Sequence, residues 1–158
     1  VNSDYLRHLY HENLAYSPIV GQLYVWTSGF ALFAFLITLA RELVKDIEDI
    51  EGDREMECRT AAIVWGTKNT KIIVSLILVI TIALISYIFF CVLPFPHSWN
   101  TLATRYMLFG LNVPIVCAIV LLWAAKTPIE YHRAQVIIKF AMFMGVMYSF
   151  VIYQNLLG

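Results

Sequence analysis

The chain has 158 residues, of which 60% are hydrophobic, 15% aromatic and only 14% charged, with eleven Lys and Arg balancing eleven Asp and Glu. An average soluble domain carries about 25% charged residues, so this composition describes an integral membrane protein. It excludes a nucleic-acid binder, because no basic surface supplies the charge that neutralises phosphates.

The opening stretch, Val1 to Pro18, is polar and aromatic and reads as a loop. His8 and His11 within it have an i, i+3 spacing compatible with a metal, though in a polar loop ordinary surface residues are the favoured reading. The chain starts on Val1 and shows no signal-peptide pattern, so we expect the natural N-terminus to lie further upstream. Four apolar segments then follow, each close to the roughly 20 residues a helix needs to cross the hydrocarbon core. They are predicted over 20–40, 72–93, 106–125 and 136–157. The expected fold class is therefore all-α, a multi-span helical membrane protein in one membrane domain covering 1–158.

Between the first two spans lies a charged stretch, 41–71. Eight of the eleven acids fall between Glu42 and Glu57, and only Asp4, Glu12 and Glu130 lie elsewhere. Pro94-Phe-Pro-His-Ser-Trp-Asn separates the second and third spans, with prolines that end a helix. Asn112-Val-Pro114 interrupts the third span and predicts a kink there, because proline removes a backbone hydrogen bond. Lys126 to Arg133 separates the third and fourth spans. Trp26, Trp99 and Trp123 fall near span ends, where indole rings anchor at the interface. Of the other aromatics, Phe30, Phe33, Phe35, Tyr87, Phe89, Phe90, Phe140, Phe143, Tyr148 and Tyr153 are expected to face lipid or pack between helices. Cys58, Cys91 and Cys117 are odd in number and have no metal-type spacing, so no disulfide is expected.

Nine Lys and Arg (Arg41, Lys45, Arg54, Arg59, Lys68, Lys71, Lys126, Arg133 and Lys139) flank one side of these spans, against Arg7 and Arg105 on the other. The positive-inside rule places the charged stretch in the cytoplasm.

The chemistry concentrates in Lys45-Asp46-Ile47-Glu48-Asp49-Ile50-Glu51-Gly52-Asp53-Arg54. Asp46, Asp49 and Asp53 are three and four residues apart, so they share one helix face, and Glu42 extends the stripe backward. Like charges at that spacing repel unless a cation neutralises them. Leu43, Ile47 and Ile50 continue the helical pattern beside the stripe, and Gly52 loosens the backbone before Asp53. Acids mixed with cations suit a magnesium–diphosphate ligand, with carboxylates on the metal and Lys or Arg on the remaining phosphate oxygens. Spacing alone equally allows a solvated acidic helix end with intrahelical ion pairs such as Lys45–Asp49.

The run Arg41-Glu-Leu-Val-Lys-Asp-Ile-Glu-Asp-Ile-Glu-Gly-Asp-Arg54, followed by Thr60 and Gly66, resembles the second Asp-rich motif of the UbiA superfamily of membrane prenyltransferases. The resemblance extends over the whole chain as the C-terminal half of a member: one span before the motif and three after it, like the last four of nine helices. The wording is most similar to the branch that transfers geranylgeranyl to geranylgeranylglycerol phosphate; quinone-, chlorophyll- and tocopherol-type members stay open.

The resemblance implies an enzyme that moves a polyprenyl group from a prenyl diphosphate, such as geranylgeranyl diphosphate, to a lipid or aromatic acceptor inside the membrane. It implies Mg2+ as cofactor, with Asp49 and Asp53 as the metal-binding Asp-x-x-x-Asp pair and Asp46 as the preceding acid of the same cavity. Lys45, Arg54, Arg59 and Lys68 take diphosphate-binding roles. The metal would neutralise charge on the leaving diphosphate, and aromatic walls would stabilise the allylic cation. Members usually have glycine where Glu57 stands, and Leu-Pro where Ala61-Ala62 stand. The family's first Asp-rich motif, and its basic segment between the fourth and fifth helices, are not in this sequence, so the isolated chain is expected to be inactive.

Tyr131, His132 and Arg133 lie on the motif's side and are secondary candidates for contact with diphosphate or acceptor, a plain interfacial loop being the favoured reading. Lys139 either snorkels to the surface or reaches inward to an anion. A cation transporter or channel segment is the competing reading, since acids at membrane depth mark ion paths. A non-catalytic membrane scaffold is a third.

Overall fold

A computed structural model of the chain describes residues 18–92 and 102–157. His8, His11, Trp99 and the Pro94 to Asn100 segment lie outside the described residues, as do the side chains of Trp26 and Tyr153. All regular structure among the described residues is helical. In chain order it comprises α1 (Pro18–Glu48), α2 (Ile50–Glu55), α3 (Ala61–Trp65), α4 (Thr67–Tyr87), α5 (Leu102–Arg105), α6 (Val113–Ala124) and α7 (Pro128–Leu157). Two π-helical stretches complete it, Ile88–Val92 after α4 and Tyr106–Asn112 between α5 and α6.

Four helical stretches are long and apolar enough to cross a membrane, matching in number and order the four expected spans. The chain is an integral membrane protein. Helix α1 has 31 residues. At 1.5 Å per residue it reaches roughly 46 Å, well beyond a hydrocarbon core of about 30 Å. Its charged turns from Arg41 onward therefore lie beyond its apolar part.

The chain divides into two compact units inside α1, Val1–Leu32 and Phe33–Gly158. In the described part of the first, residues 18–32 are the opening turns of α1, where the Ser28 hydroxyl donates to the Val25 carbonyl at 3.0 Å. The second unit has one apolar core. Ile37, Ala40, Val44 and Ile47 of α1 meet Val74 and Leu78 of α4, Ile115, Ala118 and Leu122 of α6, and Ala134, Ile138 and Ala141 of α7. On each helix these residues recur three or four positions apart, so each contributes one stripe. The opposite faces keep large apolar side chains exposed, including Phe35, Val120, Phe143 and Phe150, as a lipid-facing surface requires. Phe89 and Tyr148, by contrast, are buried.

Pro114 sits in the first turn of α6, immediately after the Tyr106–Asn112 π-helical stretch. Proline cannot donate to the carbonyl four residues back, and the wider i→i+5 pattern absorbs the interruption. The structural outcome at the expected kink is a π-helical stretch. Its counterpart at Ile88–Val92 ends two residues before Pro94, as Tyr106–Asn112 ends two residues before Pro114. Trp123 closes α6, half-exposed, and its indole N–H donates to the Ser75 hydroxyl of α4 at 2.9 Å. Cys58, Cys91 and Cys117 are free thiols.

Helix α7 opens on Thr127-Pro128, with Glu130 accepting the Lys126 N–H at 2.7 Å and the Thr127 N–H at 3.0 Å. This is a reciprocal cap with proline where no donor is needed. Those two N–H groups hold the Glu130 carboxyl, which precedes the apolar part of α7, below its ordinary value. The cap thus contributes above the usual carboxylate range and fades as pH falls through the lowered value.

Candidate functional site

The acidic run occupies the joint between α1 and α2. Asp49 itself is the joint, with φ −91° and ψ 6°. Its N–H still bonds the Lys45 carbonyl at 2.9 Å, and its own carbonyl accepts the Asp53 N–H at 3.0 Å. The helical path is therefore nearly continuous through the run, as the stripe spacing requires, and Asp49 and Asp53 stay one turn apart on it. Asp49 is exposed and Asp53 half-buried, and among the described residues no hydrogen bond or ion pair engages either carboxylate. The intrahelical Lys45–Asp49 ion pair of the solvated-end reading does not form.

Asp46 is used differently. Its Oδ2 accepts the Ala61 N–H at 3.3 Å, fifteen residues on. That bond caps α3 in place of the Thr60 side chain, whose buried hydroxyl has no partner. Partial burial pushes the Asp46 carboxyl above its ordinary value, against the Ala61 bond. Charge from Asp53 and Glu42 pushes the same way, and Lys45 opposes it. Asp46 is thus close enough to Asp53 to feel its charge, while serving the loop that leaves the motif.

That loop closes with a helix-ending motif of the left-handed kind. Glu57 has φ 54°, Cys58 N–H bonds the Asp53 carbonyl at 2.9 Å, and Glu57 N–H bonds the Arg54 carbonyl at 3.3 Å. Glycine is the usual residue at this position. A left-handed conformation costs a residue with a Cβ roughly 1–2 kcal/mol. The loop keeps the glycine-type conformation at Glu57, the position where the resemblance expected glycine.

Four cations surround the run. Lys45 precedes Asp46, Arg54 ends α2, Arg59 lies in the loop and Lys68 in the first turn of α4. All four are exposed and make no ion pair with any described acid. Arg41 instead pairs with its neighbour Glu42.

Two contacts across the helix ends were not legible as such. Glu48, the last residue of α1, accepts from Gln135 Nε2 at 2.8 Å and meets His132 Nδ1 at 3.0 Å, both on α7. Lys71 Nζ donates to the Ala125 carbonyl at 2.7 Å, at the C-terminal end of α6, and lies 4.9 Å from the centre of the Tyr131 ring. A cation there satisfies an orphan carbonyl and complements the helix dipole. Of the secondary candidates, Tyr131 is therefore held under Lys71 and His132 on Glu48, while Arg133 and Lys139 are exposed. The one available signal for Glu48 was its position off the aspartate stripe.

Among the described residues no three His, Cys, Asp or Glu side chains converge into a metal-holding group. The run instead offers two free carboxylates one turn apart, flanked by unpaired cations.

A family model described as UbiA prenyltransferase matches residues 13–147. A digeranylgeranylglyceryl phosphate synthase of Methanosphaera stadtmanae is 31% identical over 128 residues, covering 78% of this chain and 42% of the relative. The Thermococcus onnurineus protein of the same name is 28% identical over 135 residues, covering 83% of this chain and 46% of the relative. That of Pyrococcus abyssi is 42% identical over 72 residues, covering 43% of this chain and 26% of the relative. The chain thus spans less than half the length of these curated relatives. No solved structure matches it significantly.

Proposed function

Because the chain belongs to the UbiA prenyltransferase family, we propose that it is the diphosphate-binding half of an intramembrane prenyltransferase. The observation that carries this reading is the pair Asp49 and Asp53, one turn apart just beyond an apolar span, with carboxylates that no group among the described residues engages.

The donor set fits a magnesium ion. Mg2+ takes hard oxygen ligands, keeps several waters and is commonly held by one or two carboxylates plus substrate phosphates. Asp49 and Asp53 would hold it, with Asp46 as the adjoining acid. A bound magnesium would offset the charge that develops on the leaving diphosphate. The chain's own groups do the rest. Lys45, Arg54, Arg59 and Lys68 take phosphate oxygens and orient the prenyl C1 toward the acceptor. In the transfer, the C1–O bond to diphosphate breaks, a bond from C1 to the acceptor oxygen forms, and the acceptor hydroxyl releases its proton.

The relatives' name supports geranylgeranyl diphosphate as donor and a geranylgeranylglyceryl phosphate acceptor. With the full-length natural protein in liposomes, we expect geranylgeranyl transfer to that lipid phosphate at least tenfold faster than to an aromatic acid. The reverse preference would overturn the acceptor assignment.

The excess of Lys and Arg beside the motif supports a cytoplasmic orientation. Cys58 offers a probe, being an exposed thiol in the loop after α2. With Cys91 and Cys117 replaced by Ser, a membrane-impermeant maleimide should label Cys58 in inside-out vesicles and not in intact cells. Labelling of intact cells would reverse the topology.

A further inference from the structure

Two acids of the run lie off the aspartate stripe, Glu48 and Glu51, and Glu48 has the most elaborate set of contacts. Glu48 ends α1, immediately before Asp49, and its two carboxylate oxygens are taken separately by α7: Oε1 by His132 Nδ1 at 3.0 Å and Oε2 by Gln135 Nε2 at 2.8 Å. His132 and Gln135 are three residues apart, one turn of a single face. Gln135 is only 4% exposed, so its amide is committed to this bond. The partners lie 84 and 87 residues away in sequence. The bond therefore joins the helix leading into the motif to a helix that carries none of it.

Immediately past this tether the backbone leaves regular α geometry at Asp49. The backbone bonds that cross the joint, Asp49 N–H to the Lys45 carbonyl and Asp53 N–H to the Asp49 carbonyl, carry the direction of α1 on into α2. Fixing the last residue before the joint fixes where Asp49 and, one turn on, Asp53 project. Site geometry within about half an ångström matters for metal ligands and reacting groups.

We propose that Glu48 is a positioning residue rather than a metal ligand. Its bonds to His132 and Gln135 hold the α1–α2 joint against α7, and so aim Asp49 and Asp53. This rests on the reading of those aspartates as metal ligands.

The test uses the full-length natural protein and two readouts. The first is the Mg2+ concentration for half-maximal binding of geranylgeranyl diphosphate. Loss of groups that support metal ligands typically costs 10–100-fold in metal affinity, so Glu48→Ala should raise this midpoint about tenfold. The exchanged pair Glu48→Gln with Gln135→Glu keeps an amide–carboxylate bond between the helices with the roles reversed, and should bring the midpoint back to within about threefold of wild type. The second readout needs no metal. Amide hydrogen exchange over Ile50–Glu55 in magnesium-free protein should quicken on the order of tenfold in Glu48→Ala and return in the exchanged pair. An unchanged midpoint and unchanged exchange in Glu48→Ala would overturn the proposal. So would an exchanged pair that recovers exchange protection but not the magnesium midpoint, since the carboxylate would then be needed at position 48 itself. Failure of the underlying reading looks different: Asp49→Ala would bind magnesium and prenyl diphosphate like wild type, whatever Glu48 does.

Discussion

Replacing either Asp49 or Asp53 by Ala should reduce magnesium-dependent prenyl transfer by at least about a hundredfold. Each carboxylate removed takes away a metal contact in a site where the protein supplies few. Loss of a single well-placed electrostatic group in an active site costs about 10²–10³ in rate. The effect should fall on the diphosphate: its binding should weaken and lose its dependence on magnesium. Because neither side chain bonds any group among the described residues, folding should be unaffected, which separates this result from a structural defect. Glu51, exposed and off the stripe on the same short helix, is the control, and Glu51→Ala should stay within a few-fold of wild type. Asp46→Ala should behave differently from both. It frees the Ala61 N–H and the start of α3, so it should loosen the loop as well as reduce transfer. Steady-state rates across magnesium concentrations, with thermal unfolding measured alongside, check all four variants.

Substitution of Gly145 should have the largest effect on stability. It is buried on α7, and a Cβ there would meet the Phe33 ring of α1 at 2.1 Å. Helices in membranes approach closely where one offers glycine, and this contact is of that kind. Gly145→Leu must displace the ring or separate the helices, and overpacking of this sort costs typically 1–3 kcal/mol. The obstacle is the far end of a half-buried side chain, which identifies the compensating change. Phe33→Ala in a Gly145→Ala background should recover most of the loss, giving a favourable coupling between the two sites. Thermal unfolding in detergent reads this directly. Additive losses would show that the ring is not what fixes residue 145 as glycine.

The spans were legible because membrane crossing imposes a length and a composition that few other structures share. The continuation of α1 past the membrane was legible for a related reason, since Leu43, Ile47 and Ile50 keep an apolar stripe beside the acids. What stayed hidden depends on contacts distant in sequence. Spacing put Asp46 on the same stripe as Asp49 and Asp53, yet its carboxylate bonds Ala61, and no local pattern separates a cap from a ligand. No local pattern foretold that Lys71 lies over the Tyr131 ring or that Glu48 meets His132. The π-helical stretches at Tyr106–Asn112 and Ile88–Val92 each end two residues before a proline, Pro114 and Pro94, yet a proline announces an interruption and not the form it takes. Glu57 is the instructive intermediate: resemblance marked it as a glycine position, and its positive φ gives the physical reason.

The central claim is that Asp49 and Asp53 hold a divalent ion that in turn holds the prenyl diphosphate. Manganese in place of magnesium makes it directly visible. In the full-length natural protein, paramagnetic resonance of bound Mn2+ should show phosphorus coupling when geranylgeranyl diphosphate is present, and Asp49→Asn with Asp53→Asn should abolish both the bound ion and the coupling. Phosphorus coupling of undiminished strength in that double variant would contradict the account, because the ion and its diphosphate would then be held elsewhere.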